Sequence, residues 1–195
     1  MQDIILASQS PRRKMLLEWA EVSFEIIVKH TDEDFPAGLT IPETAIHIAR
    51  NKAMAVRSYV QDAFHAEFAG KTILAADTVV VLDDTIIGKP TDRAEAIKIL
   101  QNLSGRQHKV ITGVVIMHAG GEIAFSDTTE VVFHPLTDEQ IEFYVDKYEP
   151  YDKAGAYAIQ EWIGVVGIRS VNGDFYNVMG LPVSRVLQAL YTINR

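Results

Sequence analysis

Apolar and polar positions along this chain switch repeatedly between a period of two and a period near 3.6 residues, and the switches mark strands and helices in alternation. Residues 3–8 form a short apolar run that reads as a buried strand. Ser10-Pro11 then opens a helix predicted to reach about Ala20, with serine as N-cap and proline at the first helical position. Residues 22–28 read as a second strand, and an acidic loop containing Gly and Pro follows. Thr40 and Glu43 have capping-box spacing and start a long helix to about Val60. Residues 71–82 are rich in β-branched side chains, and Asp83-Asp84 turns them into residues 85–87 as a hairpin. Thr91 is expected to cap a helix through Leu103, ended by Ser104-Gly105. Residues 109–118, a Gly120-Gly121 turn and residues 122–134 make another hairpin. Thr137 and Gln140 repeat the capping-box spacing and begin a helix to about Lys147. Residues 162–171 read as a strand with Asn172-Gly173 as its turn, and Pro182 begins the last helix.

Hairpins set among helices imply a mixed sheet flanked by helices, an α/β architecture distinct from a purely parallel doubly wound one. The 195 residues suit one domain over residues 1–195, or two closely packed lobes, with room for a substantial core. No repeat or low-complexity segment interrupts them.

Composition narrows the class. At 48% hydrophobic and 23% charged the chain has the balance of an ordinary soluble protein, and no run approaches the ~18 to 20 apolar residues of a membrane span. The first residues lack the basic and long apolar regions of a signal peptide, and there is no cysteine. A disulfide framework, a thiol nucleophile and Cys-ligated zinc are therefore excluded, and the expected compartment is the cytoplasm. The net charge of -8 argues against a nucleic-acid surface, which needs many Lys and Arg contacts to phosphates. A small anionic ligand is still compatible, because a few cations gathered in one cleft can hold a phosphate chain. The six histidines show no His-x3-His or related spacing, so a histidine metal site is not expected.

Chemistry gathers first at Ser8-Gln9-Ser10-Pro11-Arg12-Arg13, where a strand feeds a helix start. Unpaired backbone N–H groups and the positive end of the helix dipole favour an anion there. Two guanidinium groups at that end oppose the dipole, so helix stability alone would have selected acids; a phosphate cradle explains them. Lys52 is the second clue. Ala45, Ile48, Ala49, Val56 and Tyr59 share one helical face, and Lys52 falls near its middle, where an ammonium must snorkel or meet an anion. Asp77 is the third, a lone carboxylate in the apolar run over residues 73–82. Apolar residues on both alternating faces imply burial, and a buried carboxylate needs a metal, a cation or several donors. Glu33 lies in an acidic loop cluster and, if it faces Asp77, supplies a second hard oxygen ligand for Mg²⁺. Lys89 in Gly88-Lys89-Pro90 and Lys153 in Asp152-Lys153-Ala154-Gly155 are ambiguous by themselves.

Taken in order, these segments resemble the Maf family of nucleotide pyrophosphatases, the septum formation inhibitor-like proteins. The resemblance rests on Ser-x-Ser-Pro-Arg-Arg over residues 8–13, the helical Lys52, Ala76-Asp77-Thr78, Gly88-Lys89-Pro90 and Leu103-Ser104-Gly105-Arg106-x-His108. It continues through Thr112-Gly113, Asp152-Lys153-Ala154-Gly155-Ala156-Tyr157, Ile159-Gln160 and Gly173-Asp174-x-x-Asn177-Val178-x-Gly180-Leu181-Pro182. The resemblance implies an elongated mixed sheet flanked by helices, with two lobes around a central cleft, like that of inosine triphosphate pyrophosphatases. It further implies a divalent metal, Mg²⁺ or Mn²⁺, and a homodimer.

Arg12, Thr78 and Gln160 match the subgroup that cleaves dTTP and UTP, and they are the expected specificity residues. Ala158 departs from the pattern, since Gly often precedes the Ile-Gln pair; the methyl group is tolerable unless the backbone there needs positive φ. The expected reaction is hydrolysis of a pyrimidine nucleoside triphosphate to the monophosphate and pyrophosphate. Asp77 is then general base and, with Glu33, metal ligand; Ser8, Ser10, Arg12, Arg13, Lys52, Lys89 and Lys153 bind substrate. The rivals are an enzyme of the same family for a modified purine triphosphate such as 7-methyl-GTP, and a non-catalytic nucleotide-binding regulator of cell division.

Overall fold

The computed structural model describes residues 3–61, 68 and 70–193. In chain order the elements are β1 (Ile4–Leu6), α1 (Pro11–Trp19), β2 (Phe24–Ile26), α2 (Ile41–Val60), β3 (Thr72–Leu82), β4 (Thr85–Ile87) and α3 (Arg93–Leu103). They continue with β5 (Gln107–His118), β6 (Gly121–Phe133), α4 (Asp138–Tyr148), α5 (Trp162–Gly167), β7 (Ile168–Asn172), α6 (Phe175–Met179) and α7 (Val183–Ile193). The strands form one seven-stranded sheet in the order β2-β1-β3-β5-β6-β7, with β4 also paired to β3. β1 runs parallel to β2 and β3, while β4 is antiparallel to β3 and β7 to β6. The sheet is therefore mixed, as hairpins among helices require. No helix among the described residues is long and apolar enough to cross a membrane.

The chain divides into two compact units, and β3, β5 and β6 each contribute to both. The first unit takes the chain up to Asp77, then Thr112–Asp127 and everything from Gly180 on. Its core is built on strand alternation. Ile73 and Ala75 of β3 join Ile5, Ala7, Val115 and Met117 on one face, packed by Ala49, Ala53, Val56 and Val60 of α2. α2 begins at a complete capping box, with Thr40 Oγ1 accepting from Glu43 N and Glu43 Oε2 accepting from Thr40 N at 2.8 Å. It lies against β5 at Gly113, where a Cβ would stand 2.3 Å from the backbone of Ala45 and Ile46. Only glycine permits that approach.

The second unit takes Thr78–Ile111 and Thr128–Met179. α3 and α4 pack together over buried Leu100, Leu103, Ile141, Tyr144 and Val145. Beside them His108, Phe133 and Tyr157 meet edge to face, with ring centroids 5.0 to 5.4 Å apart.

Local differences from the sequence reading have identifiable causes. The N-cap of α3 is Asp92, whose carboxylate accepts from Glu95 N at 2.8 Å; Thr91 instead binds the Glu95 carboxylate through its own N–H and hydroxyl. Residues 162–171 split into a helix and a strand. Gly164 N and Val165 N both turn back to Glu161 O, and a Cβ at Gly164 would lie 1.8 Å from Ile159 O. Tertiary packing overrides the β preference of Ile163, Val165 and Val166 there. Three short elements are additional to the reading: α6, and single 3-10 turns at Pro150–Asp152 and Ala154–Ala156.

Candidate active site

In the first unit, β1 delivers Ser8 to the start of α1. Ser10 is the N-cap, its Oγ accepting from Arg13 N at 3.4 Å, and Pro11 opens the helix. Ser8 is buried and its Oγ accepts from Ser10 N at 3.2 Å and from Arg13 Nη1 at 3.0 Å. Arg13 Nε donates to Gly180 O at 2.8 Å. The guanidinium is thus held in place from two sides, and only 8% of the residue is exposed.

Burial lowers the Arg13 pKa to about 10; Asp77 and Glu33 push it up, and Arg12 pushes it down. The residue stays charged at neutral pH, and those influences identify its neighbours as two carboxylates and a second cation. α1 has no acid in its first turn, so positive charge accumulates at its start against the helix dipole. An anion would relieve both penalties.

Lys52 and Asp77 meet beside this cluster. Lys52 Nζ donates to Asp77 Oδ1 at 2.7 Å and to Glu33 Oε1 at 2.8 Å. Asp77 is buried as expected, whereas Glu33 is exposed on its loop. The middle of the buried α2 stripe is Ala53, and Lys52 flanks it half-buried. It reaches its two acids along the sheet face that α2 covers, the face shared by Ile73, Ala75 and Asp77.

Two carboxylate oxygens therefore converge on one cation. No group of three or more His, Cys, Asp and Glu side chains is poised for a metal among the described residues. The donor set fits Mg²⁺ or Mn²⁺, which take one or two carboxylates and complete their shells with phosphate oxygens and water. It does not resemble the four-ligand shell of structural zinc.

In the second unit, Thr78 follows Asp77 on β3 and so faces the opposite side of the sheet, with Val80. Against Val80 packs the turn Ala154–Ala156: Gly155, at φ +71°, leaves no room for a Cβ, which would be 2.8 Å from Val80 Cγ2. Gly155 N donates to Gly88 O at 3.1 Å, which ties the exit of β4, and with it Lys89, to the turn that follows Lys153. Lys89 is exposed; Lys153 is buried, its Nζ 2.8 Å from Asp152 Oδ1 and 3.6 Å from Glu161 Oε1. Gln160 is exposed on a turn closed by Glu161 N donating to Ala158 O at 3.1 Å. Ala158 is buried and is not among the residues with positive φ, so its methyl group is accommodated.

Several residues here were assigned no role by the sequence. Gly180 contributes a carbonyl, Tyr144 a buried hydroxyl, and Glu161 a carboxylate between Tyr144 and Lys153. Each acts through a contact distant in the chain; the acid directly after Gln160 was the only local hint.

Comparison with known proteins identifies relatives over nearly the whole chain. The chain is 50% identical over 183 residues to a dTTP/UTP pyrophosphatase of Porphyromonas gingivalis, covering 92% of this chain and 88% of that one. It is 47% identical over 188 residues to a dTTP/UTP pyrophosphatase of Cytophaga hutchinsonii, covering 96% and 83%. Among solved structures it resembles the Staphylococcus aureus Ham1 protein over the full length of both chains, at 18% identity and a TM-score of 0.48. The family described as Maf-like protein matches residues 3–193, and the chain belongs to that family.

Proposed function

We propose that this protein is a nucleoside triphosphate pyrophosphatase that hydrolyses dTTP and UTP to the monophosphate and pyrophosphate. The observation that carries the reading is the single Lys52 ammonium shared by Glu33 and Asp77, with the buried Arg13 guanidinium electrostatically coupled to both acids. The activity printed for relatives 47 to 50% identical supports the substrate class.

In this reading the first unit handles the triphosphate. Arg12, Arg13 and Lys52 neutralise charge on the phosphate oxygens, and the planar guanidinium fork holds two of them at once. Ser8 and Ser10 add hydroxyl donors. Asp77 is the general base. As the water oxygen bonds to phosphorus and the α–β anhydride P–O bond breaks, the water proton passes to the Asp77 carboxylate. Glu33 and Asp77 would hold a divalent cation, which when bound acidifies water and offsets phosphate charge. Lys89 and Lys153 of the second unit are assigned to substrate binding. Thr78 and Gln160, each able to donate and accept, are assigned to the uracil or thymine edge. The reading also carries the family's homodimer, and a cytoplasmic setting that a chain without cysteine suits.

A panel of nucleoside triphosphates with Mg²⁺ or Mn²⁺, scored by chromatography of the products, tests the reading. Pyrophosphate and monophosphate from dTTP and UTP are expected. Preference for a modified purine such as 7-methyl-GTP, or tight binding with no pyrophosphate release, would replace it with one of its rivals.

A further inference from the structure

The turn that presents Gln160 is fastened at both ends by one hydroxyl. Ala158 N donates to Tyr144 Oη at 3.2 Å, and Tyr144 Oη in turn donates to Glu161 Oε2. Between those anchor points the turn closes on itself, with Glu161 N donating to Ala158 O at 3.1 Å and Gln160 at its third corner. Tyr144 is fully buried on α4 and stacks on Tyr148, ring centroids 4.9 Å apart, so the hydroxyl has little freedom to wander. Glu161 is braced a second time by Lys153 Nζ at 3.6 Å. A hydroxyl spent in this way stabilises one backbone shape for four residues, of which only Gln160 is exposed.

We infer that Tyr144 and Glu161 are positioning residues for base selection, setting where the Gln160 amide stands and hence which pyrimidine edge it can pair with. The inference rests on the assignment of Gln160 to the base. Uracil and cytosine have the same ring and differ in their donors and acceptors: uracil offers an N–H donor and a carbonyl acceptor where cytosine offers an acceptor and an amino donor. Shape cannot separate them, so the amide must be held where mismatched groups stay unpaired. A turn free to shift would let the same amide serve either base.

Steady-state kinetics of the full chain with UTP and CTP test this. Tyr144→Phe keeps the ring and removes the clamp. It is expected to lower kcat/KM for UTP about tenfold, mainly through KM, with little change for CTP, so that the UTP-to-CTP ratio narrows about tenfold. In a Gln160→Ala background the same substitution should change the ratio no further, because the residue it acts through is gone. Glu161→Ala, at a partly exposed position, removes the other end of the clamp and should narrow the ratio likewise; Glu161→Gln keeps an acceptor and should restore it.

Both clamp variants losing thermal stability while keeping the wild-type ratio would reduce Tyr144 to a packing role and overturn the inference. A ratio that falls equally in the Gln160→Ala background would overturn it too. Wild-type protein that releases pyrophosphate from neither dTTP nor UTP would overturn the functional reading itself, a result visible before any variant is made.

Discussion

Lys52 Nζ stands 2.7 Å from Asp77 Oδ1, and each side chain is mostly withdrawn from solvent, at 21% and 13% exposure. An ammonium and a carboxylate so placed depend on each other, since removing one leaves the other's charge buried. Asp77→Asn keeps an oxygen for Lys52 to bind but cannot take a proton from water. The variant is expected to fold and bind nucleotide while losing turnover by at least about a hundredfold. Near-normal pyrophosphate release would remove Asp77 from the role of base.

Arg12 differs from its neighbour Arg13 in being half-exposed at the mouth of the α1 start. Arg12→Ala should both raise KM and lower kcat for dTTP, with kcat/KM down about a hundredfold, since it removes positioning and charge stabilisation together. An unchanged kcat/KM would exclude it from the reaction.

The carboxylate pair makes a prediction that needs no turnover. Mn²⁺ titrated calorimetrically into the protein alone should bind, and Glu33→Gln should weaken that binding about tenfold or more while the melting temperature scarcely moves, because Glu33 is exposed. Chelation with EDTA should abolish dTTP hydrolysis, and added Mg²⁺ should restore it. Equal Mn²⁺ affinity in wild type and variant would take Glu33 out of the metal set.

His108 gives the fold a dependence on pH. Burial pushes its pKa down from 6.5 to about 4, Nε2 pairs with Tyr157 Oη at 2.7 Å, and Nδ1 has no partner. Between those two values the unfolded chain binds a proton that the folded protein excludes. The stability contributed by neutral His108, up to about 3 kcal/mol, is present above pH 6.5 and is lost as pH falls towards 4. Unfolding in urea at a series of pH values should show this slope, and His108→Phe should flatten it. Equal slopes in the two proteins would count against the assignment.

Gly113→Ala should destabilise the protein by roughly 1 to 3 kcal/mol, because the new methyl group meets the α2 backbone rather than a movable side chain. A shifted urea midpoint would register it. Activity should fall as well, since α2 carries Lys52.

The parts of this molecule legible in sequence are those set by neighbours in the chain. Ser10, Thr40 and Thr137 cap the helices that their spacing announced, because a cap joins residues three apart. Asp77 was recognisable as buried from the apolar residues around it. Lys52 was visible as an anomaly, although its exact seat beside Ala53 depended on where the sheet lay. Illegible were the contacts that cross long stretches of chain, such as Gly180 to Arg13 and Tyr144 to Ala158. The helix at residues 162–167 was hidden for a related reason: its residue types favour a strand, and only the close seat of Gly164 on Ile159 bends the chain otherwise. The proposed metal pair lies between. Glu33 sits in an acidic run like many others, and only its distance to Lys52 distinguishes it.

Because Asp77 and Thr78 occupy opposite sides of one strand, the odd-numbered and even-numbered side chains of β3 form two sets, and the proposed base-reading Thr78 can be substituted without displacing the proposed general base Asp77. The arrangement tolerates substitution but not insertion or deletion: losing one residue before Asp77 would transpose the two sets wholesale. Under the proposed roles, a change of substrate preference is compatible with new residue types in this strand but not with a new strand length.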